Sequence, residues 1–230
     1  MNASSAGDDS TTSAASENAS PSAEPSQNAI SPAEADAHKK KMERVQAQHQ
    51  KQLAAATREK GLIVVNTGAG KGKTTAALGV VFRALGHGMK VGVVQFIKGA
   101  IATGEAALAA KLAPQLEWHT MGEGFTWDTQ DKSRDIAAAR RGWTKAVELI
   151  RDPSFDLVVL DELNIVLRYD YLPLEEVLDE LRAKREMLHV IITGRNAKPE
   201  LLELSDLATD MTQIKHPYRA GIKPQFGIEF

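Results

Sequence analysis

The chain contains no cysteine, which excludes a disulfide framework, a thiolate metal site and a thiol nucleophile. Any metal must be held by oxygen or nitrogen. Its charge is not of one sign: 28 basic residues face 30 acidic ones, a formal balance of −2, which argues against a broad positive face for nucleic acid and leaves only local basic patches open. No apolar run approaches the roughly 18 residues needed to cross a bilayer, and no charged segment followed by an apolar one opens the chain. A cytoplasmic protein with neither membrane nor nucleic-acid partner is expected. The six histidines, His38, His49, His87, His119, His189 and His216, show no ligand spacing, so a histidine-built metal site is not expected. No internal repeat is present.

Apolar residues are also scarce at the start. Residues 1–35 are almost all Ser, Ala, Asn, Thr, Asp, Glu and Pro, with Ile30 the only large aliphatic after Met1. Such a segment cannot bury enough surface to offset its ordering entropy, and a disordered tail is expected. From Asp36 to Lys60 the composition turns to Lys, Gln, Arg, Ala and Glu without Gly or Pro, which predicts a helix. Its apolar positions, Met42, Val45, Leu53 and Ala54, are too few for it to fold alone. The helix is expected to lie against another surface, such as a second subunit, or to stand as a free arm. Residues 61–230 suffice for one domain.

Within that domain strand-like and helix-like segments alternate. Leu62 to Asn66 reads as a strand, Lys73 to Leu85 as a helix stopped by Gly86-His87-Gly88, and Val91 to Phe96 as a second strand, which is βαβ grammar. A helix over 104–112, a strand over 116–120, a turn-rich stretch over 121–128 and an amphipathic helix over 131–151 follow. Then come a strand over 156–162, a helix over 174–185, a strand over 189–194, a helix over 198–204 and a final edge strand over 211–215. Strands as continuously apolar as Leu157-Val158-Val159-Leu160 and Val190-Ile191-Ile192 are buried on both faces. The fold class expected is α/β: a P-loop NTPase-like (RecA-like), mostly parallel sheet covered by helices on both faces.

Two motifs carry chemistry. Thr67 to Thr75 read T-G-A-G-K-G-K-T-T between an apolar strand and an alanine-rich helix, the context that separates a phosphate cradle from an ordinary surface turn. The loop residues Gly68, Ala69, Gly70, Lys71, Gly72, Lys73, Thr74 and Thr75 are the nucleotide-binding candidates. Lys73 would reach the terminal phosphates, and the Thr74 hydroxyl would face a metal ion. The usual G-x-x-x-x-G-K-[ST] wants glycine where this chain has Thr67. The second motif is Leu157-Val158-Val159-Leu160-Asp161-Glu162, an apolar strand that delivers two acids to the carboxyl edge of the sheet. Alone the pair would more often cap a helix; beside a P-loop, Asp161 or Glu162, with Thr74, is expected to hold Mg²⁺ or Mn²⁺, Glu162 being favoured as the direct ligand.

Between and after these motifs lie Val94-Gln95-Phe96-Ile97-Lys98-Gly99, Gly124-Phe125-Thr126-Trp127, Tyr169-Asp170-Tyr171-Leu172-Pro173, Ile191-Ile192-Thr193-Gly194-Arg195 and the tail Gly221-Ile222-Lys223-Pro224-Gln225-Phe226-Gly227-Ile228-Glu229. Together they resemble the P-loop family of bacterial corrinoid adenosyltransferases, from about Val45 to Phe230, in order and with similar spacing. The resemblance implies transfer of the 5′-deoxyadenosyl group of ATP to the Co(I) of a reduced corrinoid, with triphosphate leaving, in cobalamin synthesis or salvage. It implies ATP held in an unusual orientation on a modified loop, which suits a site that attacks carbon rather than phosphorus. Lys73, Mg²⁺ and the loop N–H groups would stabilise the leaving group.

Phe125 and Trp127 match family aromatics that cover the lower corrin face and exclude an axial donor, easing reduction of Co(II). By residue type alone they would as readily anchor a loop to the core. Arg83 and Arg195 match family arginines near the nucleotide, with surface salt bridging as the plainer use. Ala69 stands where some relatives have Asn, so any contact made by that Asn is missing here. The absence of D-x-H-x-x-G favours removal of the lower base over its exchange. The resemblance also implies a homodimer, with the 36–60 helix folding over a partner's site, and a flavoprotein or reduced flavin as electron donor. Two rivals stay open at this stage: a phosphotransferase or ATPase on the same loop, and a nucleotide-gated corrinoid binder without chemistry.

Overall fold

The computed structural model describes residues 30–97, 103–122 and 131–228. They fall into two compact units, one ending at Thr57 and one beginning at Arg58. In the first, helix α1 runs Pro32–Ala55 and buries none of its residues. It starts four residues before the expected Asp36 because Ser31-Pro32-Ala33-Glu34 is a capping box. Ser31 Oγ accepts from the Glu34 N–H, the Ser31 N–H donates to Glu34 Oε2 at 2.9 Å, and Pro32 occupies the first helical turn, where its missing N–H costs nothing. The expected disordered tail, residues 1–35, lies outside the described residues up to 29, and its last residues belong to this helix.

The second unit is a six-stranded sheet in the order β3-β2-β4-β5-β1-β6. Its strands are β1 (Ile63–Thr67), β2 (Val91–Gln95), β3 (Leu116–Thr120), β4 (Leu157–Asp161), β5 (His189–Thr193) and β6 (Leu207–Asp210). Every pairing is parallel, so all carboxyl ends meet at one edge. The register sets Gln95 opposite both Thr120 and Asp161, and Asn66 opposite Thr193.

Alternation along the strands feeds two cores. On one face Val94, Val158, Leu160, Val190 and Ile192 meet Ala139, Trp143, Ala146 and Leu149 of α4 (Lys132–Arg151), with Leu163 and Leu167 of α5 (Leu163–Arg168), Val177 and Leu181 of α6 (Leu174–Arg182), and Leu201 of α7 (Pro199–Leu204). On the other, Val91, Val93, Leu157, Val159 and Ile191 meet Ala77, Val81 and Ala84 of α2 (Lys73–Gly86) and Ala109 of α3 (Gly104–Lys111). The α/β sheet covered on both faces is thus as expected.

Three local expectations are corrected. The last strand is Leu207–Asp210, not 211–215. Its four residues are exposed and carry no apolar pattern; backbone pairing to β1 defines it, begun by Asp206, whose carboxylate accepts from the Ile63 N–H at 2.9 Å while its own N–H donates to Ile63 O at 2.8 Å. Helix α5, directly after the acids, was not expected. Finally, α6 stops at Arg182 rather than Arg185; past its end, the Arg185 guanidinium donates to the carbonyls of Asp152 (2.9 Å) and Phe155 (2.6 Å) just beyond α4.

At the opposite edge of the sheet, His189 Nδ1 accepts from the Leu62 N–H at 3.1 Å. Burial, and then the positive charge of Lys184, lower its pKa, with Asp156 opposing. The unfolded chain therefore binds this proton more tightly than the fold does. Its contribution to stability is full above the ordinary histidine range and is lost as pH falls below about 6.5. Thermal melts taken downward from neutral pH are expected to show a falling Tm, with a shallower fall in His189→Gln, which keeps an acceptor but cannot titrate; identical slopes in the two proteins would contradict this.

Candidate functional site

The phosphate loop leaves β1 at Thr67, and Thr67 is tied on two sides. Its carbonyl accepts from the Met211 N–H at 2.9 Å, and its hydroxyl accepts from the Ala197 N–H at 3.1 Å. The residue that breaks the usual loop pattern is thus the last residue of a strand, bonded to the segments that leave β5 and β6. Gly68 (φ +100°) and Gly72 (φ +106°) take backbone conformations that side chains resist. Gly72 caps α2 without any side-chain hydrogen bond, so the first-turn N–H groups of α2 open toward the loop, the arrangement that binds anions.

Lys73, only 7% exposed, donates from Nζ to Gly70 O. Its own carbonyl accepts from Asn66 Nδ2 at 3.3 Å. Burial lowers its pKa; Arg195 adds to the lowering, while Glu162, Asp161 and Asp210 oppose it. Those neighbours come from the ends of β4, β5 and β6, so the carboxyl edge converges on the lysine, as ligand sites of parallel sheets do.

Asp161 is buried, 1% exposed, and both of its oxygens accept. Oδ1 takes the hydroxyls of Thr74 (2.8 Å) and Thr193 (2.7 Å), and Oδ2 takes Gln95 Nε2 at 3.0 Å. Glu162 sits in the left-handed region (φ +64°) at the start of α5, and its N–H donates to Thr193 Oγ1 at 3.0 Å. Its side chain lies against Gly194, where an added Cβ would come 3.0 Å from Glu162 Oε2. A Thr hydroxyl whose proton is directed to a carboxylate, next to a second carboxylate, is an all-oxygen donor set of the kind a hard divalent cation takes.

The structure brings together Gly68, Gly70, Gly72, Lys73, Thr74, Asp161, Glu162 and Arg195. Ala69, Lys71 and Thr75 are on the same loop and helix start, with exposed side chains. Arg83 is exposed and lies ten residues along α2 from Lys73, a rise of about 15 Å. Phe125 and Trp127 lie outside the described residues.

Sequence reading gave no role to Gln95, Thr193 or Met211. A signal existed for the first: a glutamine closing the apolar run of β2 must find buried partners. Met211 acts through its backbone, which no side-chain pattern announces.

A model of the family described as ATP:corrinoid adenosyltransferase BtuR/CobO/CobP matches residues 59–230. A corrinoid adenosyltransferase of a Sinorhizobium species is 54% identical over 203 residues, spanning 86% of this chain and 95% of that protein. One from Pseudomonas aeruginosa is 50% identical over 200 residues, 87% of this chain and 98% of the other. One from Escherichia coli K12 is 46% identical over 194 residues, 84% and 97% respectively. The family model spans the phosphate loop, the acid strand and the segment that bonds Thr67, and the relatives cover most of the chain: the chain belongs to the ATP:corrinoid adenosyltransferase family.

Proposed function

We propose that this chain is an ATP:corrinoid adenosyltransferase of cobalamin synthesis or salvage. The cobalt(I) electron pair attacks C5′ of ATP, the C5′–O bond breaks, and its electrons leave on the triphosphate. Membership of the family across the loop that holds Lys73 carries this reading. The nucleophile comes with the substrate, so the protein's work is to grip and orient the triphosphate. Lys73 and the first-turn N–H groups of α2 are aimed at such an anion.

Thr74 and Glu162 would hold Mg²⁺, with Asp161 accepting the Thr74 proton; bound there, the cation supplies positive charge against the leaving triphosphate. Asp161 accepts from Thr74, Gln95 and Thr193 inside the protein, which supports Glu162 as the ligand. Arg195 adds charge beside Lys73. Phe125 and Trp127 cover the lower corrin face, α1 serves a homodimer, the protein works in the cytoplasm, and a flavoprotein or reduced flavin delivers the electron.

A single-turnover reaction with ATP, Mg²⁺ and chemically reduced cobalamin tests the activity. The expected result is the adenosylcobalamin spectrum with one triphosphate per corrinoid converted. ADP as product would favour the phosphotransferase rival, and an unchanged corrinoid spectrum would leave only a binding role.

A further inference from the structure

The two groups assigned above to the cation, Thr74 and Glu162, both hang from Asp161. Thr74 donates to Asp161 Oδ1 directly, and the Glu162 N–H reaches the same oxygen through the Thr193 hydroxyl. What holds Asp161 from its other side is Gln95, which is 2% exposed. Gln95 Nε2 donates to Asp161 Oδ2 at 3.0 Å, while its Oε1 accepts from Trp118 Nε1 at 3.2 Å and from Thr120 Oγ1 at 3.3 Å.

The chemistry of these partners leaves one orientation. An indole N–H only donates, so it must meet the amide oxygen; an ionised carboxylate only accepts, so it must meet the amide nitrogen. A neutral amide joins the obligate donor to the obligate acceptor because it carries one group of each kind. Glutamate could not donate to Asp161 without carrying a proton, and a hydrocarbon of the same length would take from Asp161 Oδ2 and from the indole N–H the bonds that Gln95 makes to them. The Gln95 carbonyl also accepts from the Met121 N–H at 2.9 Å, which fixes the backbone from which the amide reaches.

We propose that Gln95, clamped by Trp118 and Thr120, is a positioning residue of the nucleotide site: it sets the Asp161 carboxylate and, through it, the Thr74 hydroxyl and the Glu162 backbone. The inference rests on the assignment of the cation to Thr74 and Glu162.

The test measures ATP affinity with Mn²⁺ and with EDTA in the wild type, Gln95→Met and Trp118→Phe, beside thermal melts of each. In Gln95→Met the gain in affinity that Mn²⁺ confers is expected to shrink about tenfold, the loss of one hydrogen bond to a charged group, with affinity in EDTA within about twofold of wild type. Trp118→Phe, which keeps an aromatic ring but removes the N–H and so frees the amide to turn, should shift the gain in the same direction by less. A lower Tm alone, with the Mn²⁺ gain intact, would make the network structural and overturn the inference; equal losses with Mn²⁺ and EDTA would do the same. Should Gln95→Met fail to fold, Trp118→Phe decides by the same comparison. A wild type that binds ATP equally with and without Mn²⁺ would overturn the cation assignment itself, and this inference with it.

Discussion

Lys73→Ala is expected to abolish adenosyl transfer, with a loss of at least about 10³-fold, the upper range for removing one preorganised donor from a developing oxyanion. The size follows from burial. Lys73 is a buried residue, and burial is the largest cause of its lowered pKa. In the free protein Gly70 O and the charges of Glu162, Asp161 and Asp210 offset that burial only in part, since the pKa stays lowered. A triphosphate offsets the rest most when C5′–O cleavage puts further charge on the leaving oxygen, so the loss falls on turnover with bound ATP and not only on ATP affinity. The substitution removes a buried charge together with its bond to Gly70 O, so the melting temperature is expected to change little and inactivity would not come from unfolding. Single-turnover rates with preformed Co(I) corrinoid, beside a thermal melt, check both halves; a near-normal rate would remove the phosphate grip from the mechanism.

What made this site readable was that strand and loop signals coincided. The run Ile63-Val64-Val65 ahead of glycines and Gly72-Lys73-Thr74, and the run from Leu157 to Leu160 ahead of Asp161, each join a buried strand to polar residues at one sheet edge. A parallel sheet brings such ends together whatever the distance in sequence. The misses have other causes. Strand β6 is defined by backbone bonds from exposed Leu207 to Asp210, so periodicity carried no trace of it. Helix α5 has six residues, too few for a helical period to register. The start of α1 was legible in Ser31-Pro32-Ala33-Glu34, but the composition of residues 1–35 hid a capping box made by two side chains. The role of Gln95 depends on Trp118 and Asp161 lying on the strands either side of it, a pairing that only the sheet order supplies.

Gly70→Ala is expected to be nearly as damaging as the loss of Lys73, for a reason unlike the usual one for glycines in phosphate loops. Gly70 does not need a positive φ; it needs the absence of a side chain. Its N–H donates to Met211 O at 2.6 Å, and a Cβ there would come 2.6 Å from Met211 O, 2.7 Å from Thr212 O and 2.9 Å from the Thr212 carbonyl carbon. These are backbone atoms, held by the bond from the Met211 N–H to Thr67 O, so no rotamer change relieves the clash. Gly68 faces the same wall, with Met211 O 2.5 Å from its would-be Cβ. The glycines at 68 and 70 and the threonine at 67 thus belong to one arrangement, a loop clasped by the chain that leaves β6. An added methyl must push loop and clasp apart, costing about 1–3 kcal/mol of stability as overpacking does. Because Gly70 O also receives Lys73 Nζ, the displacement reaches the lysine, and a shift of about 1 Å at a reacting group costs on the order of 10²-fold in rate. The matched control is Ala69→Gly: Ala69 is exposed, and its methyl should be dispensable. A Gly70→Ala protein with wild-type Tm and ATP affinity would show that the clasp yields freely; the expected result is a lower Tm, weaker ATP binding and slow transfer, with Ala69→Gly close to wild type in all three.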